Sequence, residues 1–215
     1  MSGTIGVLLV DDHAVVREGY RRLLERAGDV RVVGEAASAA DAWRAYAQAP
    51  PDVVVMDISL PDVSGIEALR RVVARARDAR VLMFSMHDEP IFARHAFMAG
   101  ARGYVTKASA PDVLVDAVRA VARGDRFLSP DIARCLALTS MSGGAQGLAN
   151  LSSREFEIAR LLARGHSVGD IADRLCVSAK TVANHQSAIR QKLGAANATQ
   201  FLRIASREGL VSEGG

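Results

Sequence analysis

The sequence predicts an α/β domain organised around a mostly parallel sheet, followed by a smaller all-α domain. Three observations carry that expectation. Five short apolar runs alternate with amphipathic stretches of helix length over residues 1–130; residues 139–150 (TSMSGGAQGLAN) are rich in Gly and Ser and uncharged; from 151 onward the helical period continues with no strand. The 215 residues, 49% apolar and 24% charged, suffice for two folded domains whose cores need no staple.

Taken in order, the apolar runs are IGVLLV at 5–10, VRVVG at 30–34, VVVM at 53–56, VLMF at 81–84 and GYV at 103–105. A run such as VVVM, apolar without alternation, suits a strand covered on both faces. The helices between them fall at 14–27, 38–48, 64–76, 90–99 and 111–123, completing five βα units in three layers. Pro111 suits a first helical turn, Asp112 three residues after Ser109 makes an imperfect cap, and Gly100 and Gly124 close the helices before them. On 90–99, Ile91, Phe92, Phe97 and Met98 spread over more of the circumference than one buried stripe needs, which leaves a wedged core helix and an exposed dimer patch both open. The expected boundaries are 1–128 for the α/β domain, 129–150 for a flexible linker region and 151–215 for the helical domain.

In the helical domain, Ser152 and Glu155 fit a capping box ahead of a helix that buries Phe156, Ile158, Ala159 and Leu162 and stops near Gly165. Ile171, Ala172 and Leu175 share a face of the next helix. A short turn at Cys176-Val177-Ser178 leads into AKTVANHQSAIRQKL, capped by Ser178, with Val182, Ile189 and Leu193 inward. A fourth helix, about 198–208, uses Phe201, Leu202 and Ala205. Helix, short turn and helix in a small module outline a helix-turn-helix reader of nucleic acid. Residues 151–215 carry 9 basic against 6 acidic side chains, whereas 1–130 balance at 17 each, so the small positive excess sits in this domain.

Cys135 and Cys176 lie far apart with no CxxC spacing, which suggests neither a disulfide framework nor a zinc site. No apolar stretch approaches the roughly 18 residues of a spanning helix. The start, MSGTIGVLLVDD, turns acidic after its apolar run instead of ending in a cleavage site, so a cytoplasmic location with no membrane partner is expected.

In an open parallel sheet, ligands bind beyond the carboxyl ends of the strands. Asp11 and Asp12 follow the first run, Asp57 the third, Ser85 the fourth and Lys107 the fifth. Singly, each has a plain structural job as a cap, an Asx-turn residue or a surface charge. Together on one edge they predict a site. Three carboxylates converging there repel unless a cation lies among them, and a hard oxygen-ligand ion such as Mg²⁺ answers that need. Asp57 is then placed to attack a phosphoryl group and form an acyl phosphate, with the ion and Lys107 offsetting charge on the transferring oxygens and Ser85 donating to one of them. Such a product serves either as a catalytic intermediate or as a stored signal, and charge spacing does not choose between them.

The motifs LLVDDH at 8–13, VVMDISLPDVSG at 54–65, VLMFSMHDE at 81–89, GARGYVTKAS at 100–109 and LSSREFEIARLLARGHSVGDIADRLCVSAKTVANHQSAIRQKLG at 151–194 resemble the two-component response regulators whose output domain is of the LuxR, or NarL/FixJ, type. The resemblance covers nearly the whole chain outside the linker. It implies a flavodoxin-like (βα)5 receiver with sheet order 2-1-3-4-5 and a four-helix DNA-binding domain. It also implies a phosphorylation-controlled transcription regulator, not an enzyme, in which Asp57 takes phosphate from the phosphohistidine of a sensor histidine kinase. Mg²⁺ would be held by Asp12, Asp57 and the carbonyl of Ser59, with Asp11 acting through a water, while Ser85 and Lys107 contact the phosphoryl oxygens. Tyr104 would be the aromatic switch that turns inward when Ser85 moves. The implied partners are the kinase, double-stranded promoter DNA, a second copy of the phosphorylated chain and the transcription machinery.

For DNA reading, the resemblance places Ala183, Asn184 and Ser187 at base-facing positions, with Arg190 and Lys192 nearer the backbone. Lys180 and Thr181 at the start of the helix suit phosphate contacts. Asn184 is able to pair bidentately with adenine, and Gln186 is a second candidate. Ala183 stands where many relatives carry lysine, which lowers the expected charge contact there. Three other readings stay open: a regulator acting without phosphorylation, one governed by a small-molecule sensor domain, and a Mg²⁺-dependent Asp-nucleophile phosphatase or phosphotransferase, which would need a substrate pocket.

Overall fold

The apolar runs of the first half become the strands β1 (Ile5–Val10), β2 (Val30–Ala36), β3 (Val53–Met56), β4 (Val81–Ser85) and β5 (Gly103–Thr106) of a computed structural model that describes residues 3–141, 147–208 and 210. A sixth strand, β6 (Phe127–Leu128), adds to the edge, and all neighbours are parallel in the order β2-β1-β3-β4-β5-β6. The helices α1 (Ala14–Glu25), α2 (Ala39–Gln48), α3 (Gly65–Arg75), α4 (Pro90–Ala99) and α5 (Pro111–Ala122) connect the strands. This is the flavodoxin-like order 2-1-3-4-5 with one strand more.

The pleat sends alternate strand residues to opposite faces. Val7, Leu9, Val53, Val55, Leu82, Phe84 and Val105 pack with Leu24 of α1 and with Leu114, Val118 and Val121 of α5. The opposite face is covered by α2, α3 and α4, where Ile66, Leu69, Phe92 and Ala96 are buried. On α4, Phe92, Ala93, His95 and Ala96 are buried, Phe97 is half-buried under the Arg126 guanidinium at 6.0 Å, and Met98 is exposed. The helix is wedged along one side and keeps apolar atoms on the other.

Two expectations about the end of this domain need correction. Residues 130–141 form a helix, α6 (Pro130–Met141), where a flexible linker was expected. Pro130 is preset for a first turn, Asp131 favours the helix N-terminus, and the Ala133 N–H donates to the Ser129 carbonyl at 3.0 Å. The preceding segment pairs with β5 through Phe127 N–H to Arg102 O at 3.0 Å and Ser129 N–H to Tyr104 O at 2.9 Å. The Gly/Ser-rich residues 142–146 of the expected linker lie outside the described residues. Second, Ser109 does not cap α5: the flanking residue is Ala110, with no side-chain cap, and the Ser109 hydroxyl bonds Thr106 and Asp131 instead.

The chain divides into two units between Cys135 and Leu136. The second contains a 3₁₀ turn (Leu148–Asn150) and four helices, α7 (Ser153–Ala163), α8 (Val168–Leu175), α9 (Ala179–Leu193) and α10 (Ala198–Arg207). Each helix starts on a side-chain cap, from Ser152, Ser167, Ser178 and Asn197 respectively, and the first two are full capping boxes. Their shared core contains Phe156, Ile158, Ile171, Leu175, Val182, Ile189, Phe201 and Ala205. Leu162 and Leu193, expected inside, are half-buried, and Leu202 is exposed. Cys176 closes α8 with a left-handed backbone, φ 53°. Among the described residues no helix is long and apolar enough to cross a membrane.

Candidate functional site

Parallel register brings the ends of β1, β3, β4 and β5 to one edge: Val10 lies beside Met56, and Ser85 beside Thr106. The Asp57 N–H donates to the Val10 carbonyl at 2.9 Å and the Lys107 N–H to the Ser85 carbonyl at 2.7 Å, so each polar residue is fixed as its strand ends. Lys107 Nζ donates to Asp11 Oδ2 at 2.5 Å and to Asp57 Oδ2 at 2.6 Å. All three side chains are under a tenth exposed. Burial works against the Lys107 charge, but the two carboxylates outweigh it and hold its pKa above the usual lysine value. One ammonium therefore bridges two acids that would otherwise repel.

Asp57 Oδ1 accepts the N–H of the exposed Ser59 at 3.2 Å, and Asp11 Oδ1 accepts the N–H of His13 at 2.9 Å. Asp12 is more open and pairs with His13 Nδ1 at 2.8 Å. Ligand atoms of Asp11, Asp12 and His13 lie within 4.8 Å of one another. The carboxylates are the hard oxygen donors a Mg²⁺ ion takes, so the donor set fits that ion; His13 adds a softer nitrogen that sequence reasoning did not single out.

Ser85 is fully buried, and its Oγ accepts the His87 N–H at 3.2 Å. The Tyr104 ring is inside, its hydroxyl donating to the His87 carbonyl at 2.7 Å. Burial pushes its phenol far above the usual value against the opposing pull of Ser85, so it stays a neutral donor. One short loop after β4 thus holds both Ser85 and Tyr104. The sequence also missed a second cluster beside Lys107. Thr106 Oγ1 donates to Asp131 Oδ2 at 2.7 Å and Ser109 Oγ to Asp131 Oδ1 at 3.2 Å, which ties the start of α6 to the end of β5.

On α9, Lys180, Ala183, Asn184 and Ser187 are exposed and recur at helical spacing, forming one open stripe, with Thr181 half-buried beside it. Gln186 lies on another side, while Arg190, seven residues after Ala183, falls at the edge of the stripe; both are half-buried and with Leu162, Phe201 and Leu202 line a hollow of about 90 Å³. Lys192 is engaged: its Nζ donates to Glu155 Oε2 at 2.7 Å, the same oxygen that accepts the Ser152 N–H at 2.7 Å. The structure therefore brings only part of the expected DNA-contact set onto one face. Helical phase, two residues being about 200° apart, was the signal that separates Asn184 from Gln186.

Residues 7–119 match the family described as response regulator receiver domain, and residues 149–205 match bacterial regulatory proteins, luxR family. The response regulator UvrY of Escherichia coli K12 is 36% identical over 208 residues, covering 96% of this chain and 95% of its own. The response regulator GacA of Pseudomonas aeruginosa is 37% identical over 209 residues, covering 96% and 98%. Among solved structures, RcsB from Salmonella enterica serovar Typhimurium, bound to promoter rprA in the presence of phosphomimetic BeF3−, aligns with a TM-score of 0.77 at 27% identity over 94% of this chain and 98% of that one. A LuxR-family two-component response regulator from Aurantimonas sp. aligns with a TM-score of 0.63 at 50% identity over 65% of this chain and 99% of that one.

Proposed function

We propose that this chain, which belongs to the two-component response regulators with a LuxR-type output domain, takes a phosphoryl group on Asp57 and in response reads promoter DNA through α9. It is a regulator of transcription and not an enzyme. The observation that carries the phosphoacceptor assignment is the bridge from Lys107 Nζ to Asp57 and Asp11 at the end of the sheet.

Asp57 Oδ attacks the phosphorus of a kinase phosphohistidine; the P–O bond forms as the P–N bond breaks, and the imidazole leaves with its ring proton. Lys107 is already beside the attacking carboxylate and offsets charge on the transferring oxygens, and the Ser85 hydroxyl donates to one of them. Mg²⁺, held by Asp12, Asp57 and the Ser59 carbonyl with Asp11 behind them, would supply further positive charge. The acyl phosphate carries about −1.5 to −2 charge where the carboxylate carried −1, so that edge gains up to about one negative charge along with new acceptor oxygens. Ser85 and Tyr104 share the loop at His87, so drawing Ser85 toward the new oxygens bears on the inward position of Tyr104.

For the output domain, Asn184 is the readout candidate, with Lys180 and Thr181 on phosphates and Ala183 and Ser187 on the same side. Lys192, bonded to Glu155, positions α9 rather than touching DNA. The RcsB structures on DNA support this docking. So few basic residues on one head favour a homodimer on two half-sites. A sensor histidine kinase, the transcription machinery and a cytoplasmic setting complete the reading.

The test is intact-mass measurement after acetyl phosphate and Mg²⁺ treatment of wild type and Asp57→Ala. Wild type should gain one phosphoryl group and the variant none; equal gain in both removes Asp57 from the role.

A further inference from the structure

Arg17 stands in the first turn of α1 and faces back toward the acidic edge. Its Nη1–H donates to the backbone carbonyl of Asp11 at 2.6 Å, and its Nε–H donates to Glu35 Oε2 at 2.9 Å. Glu35, near the end of β2, is held in turn by Arg21, whose Nε–H reaches Oε1 at 2.8 Å. The Arg17 side chain is largely buried, 15% exposed.

The Asp11 carbonyl belongs to the peptide plane that joins Asp11 to Asp12. A change in ψ of Asp11 or φ of Asp12 that tilts this plane without compensation by the other redirects the Asp12 carboxylate relative to that of Asp11. The other groups of Asp11 are already committed: its N–H to the Ala36 carbonyl at 3.1 Å, Oδ1 to His13 and Oδ2 to Lys107. The carbonyl is the remaining free handle, and Arg17 grips it from an anchor on a different strand. A single planar fork makes both bonds, which an ammonium on a flexible stem reproduces poorly.

We infer that Arg17 is a positioning residue for the acidic site, fixing the Asp11–Asp12 peptide so that both carboxylates are set for a divalent cation beside Asp57. This rests on the proposed phosphoacceptor role of Asp57. Partners that orient metal ligands typically contribute 10–100-fold to affinity, and Asp11 keeps three other anchors, so the expected loss is about tenfold.

The experiment is a Mg²⁺ titration of the full chain, without phosphodonor, followed through backbone amide NMR shifts, for wild type, Arg17→Met, Arg17→Lys and Arg21→Met. Melting curves and acetyl phosphate modification are recorded alongside. Arg17→Met should weaken Mg²⁺ about tenfold and slow modification at low Mg²⁺, with much of the rate returning at saturation. Arg17→Lys should fall between it and wild type, and Arg21→Met, which spares the Asp11 carbonyl, should keep the wild-type midpoint. A purely structural arginine would lower the melting temperature and leave the Mg²⁺ midpoint unmoved, and that result overturns the inference. If Arg17→Met does not fold, Glu35→Gln takes its place, with a several-fold weakening expected and a wild-type midpoint overturning. Failure of the underlying reading looks different: wild type itself would gain no mass at Asp57.

Discussion

Replacing Gly65 with alanine should damage stability and phosphorylation together. Gly65 opens α3, and its N–H donates to the Ile58 carbonyl at 2.7 Å. A Cβ there would lie 1.9 Å from the Asp57 carbonyl oxygen, 2.8 Å from its carbon and 2.9 Å from Ile58 Cα. All three are backbone atoms, so no side chain can swing aside. Restoring ordinary contact, about 3.5 Å, needs roughly 1.5 Å of movement between α3 and the Asp57 segment. Overpacking of this kind costs typically 1–3 kcal/mol, here toward the upper end, and the less flexible unfolded chain returns about 0.4–1 kcal/mol. The net loss of about 2 kcal/mol should lower the melting temperature of this domain by about 8 °C. Asp57 would also shift against Lys107, now 2.6 Å away, and a displacement of about 1 Å costs on the order of 10²-fold in rate. Thermal melting and timed intact-mass measurement with acetyl phosphate read both effects. Wild-type values in Gly65→Ala would refute the packing of α3 on the Asp57–Ile58 backbone.

Other perturbations separate parts of the account. Burial alone would raise the Glu155 pKa, but Lys192 and Ser152 outweigh it and hold it below the usual carboxylate value. A lowered folded pKa contributes stability that is fully present above the unfolded value, about 4.3, and is lost as pH falls through the folded one. Glu155→Gln should therefore be less stable than wild type at neutral pH, by about 1 kcal/mol in denaturant unfolding, with the gap closing in acid; a gap independent of pH would count against the ion pair. Cys176→Gly should stabilise the helical domain by about 0.5–1 kcal/mol, because a left-handed backbone costs an L-residue more than glycine loses in entropy; an unchanged melting temperature would contradict that strain. On a duplex selected by the phosphorylated protein, Asn184→Ala should cost about 1–3 kcal/mol and relax base preference, whereas Lys192→Ala should leave the salt slope of binding unchanged. Fluorescence anisotropy at several salt concentrations distinguishes the two, and the reverse pattern would reassign both residues.

Much of the fold was legible because burial on both faces writes itself into the sequence as runs such as VVVM, and because parallel sheets present ligands at one edge. That rule alone gathered Asp11, Asp57, Ser85 and Lys107, the residues found together there. Strand β6 was not legible, since two residues carry no period. Helix α6 was: Ser129-Pro130-Asp131 is a helix start, overshadowed by the Gly/Ser stretch that follows it. What local pattern could not supply were pairings between separate elements. Arg17 meets Glu35 across 18 positions, Thr106 meets Asp131 across 25 and Lys192 meets Glu155 across 37. These polar residues look solvated in sequence, and only the packing of helix on sheet or helix on helix gives them partners.

In the proposed function, one covalent event at Asp57 governs DNA binding. It is tested most directly by anisotropy of a fluorescent duplex, selected from genomic fragments, titrated with full-length wild type and Asp57→Asn, each with and without acetyl phosphate and Mg²⁺. Treatment should tighten binding by wild type alone, with intact mass confirming one phosphoryl group on it. Equal affinity of treated and untreated wild type, at full modification, would contradict the proposed function.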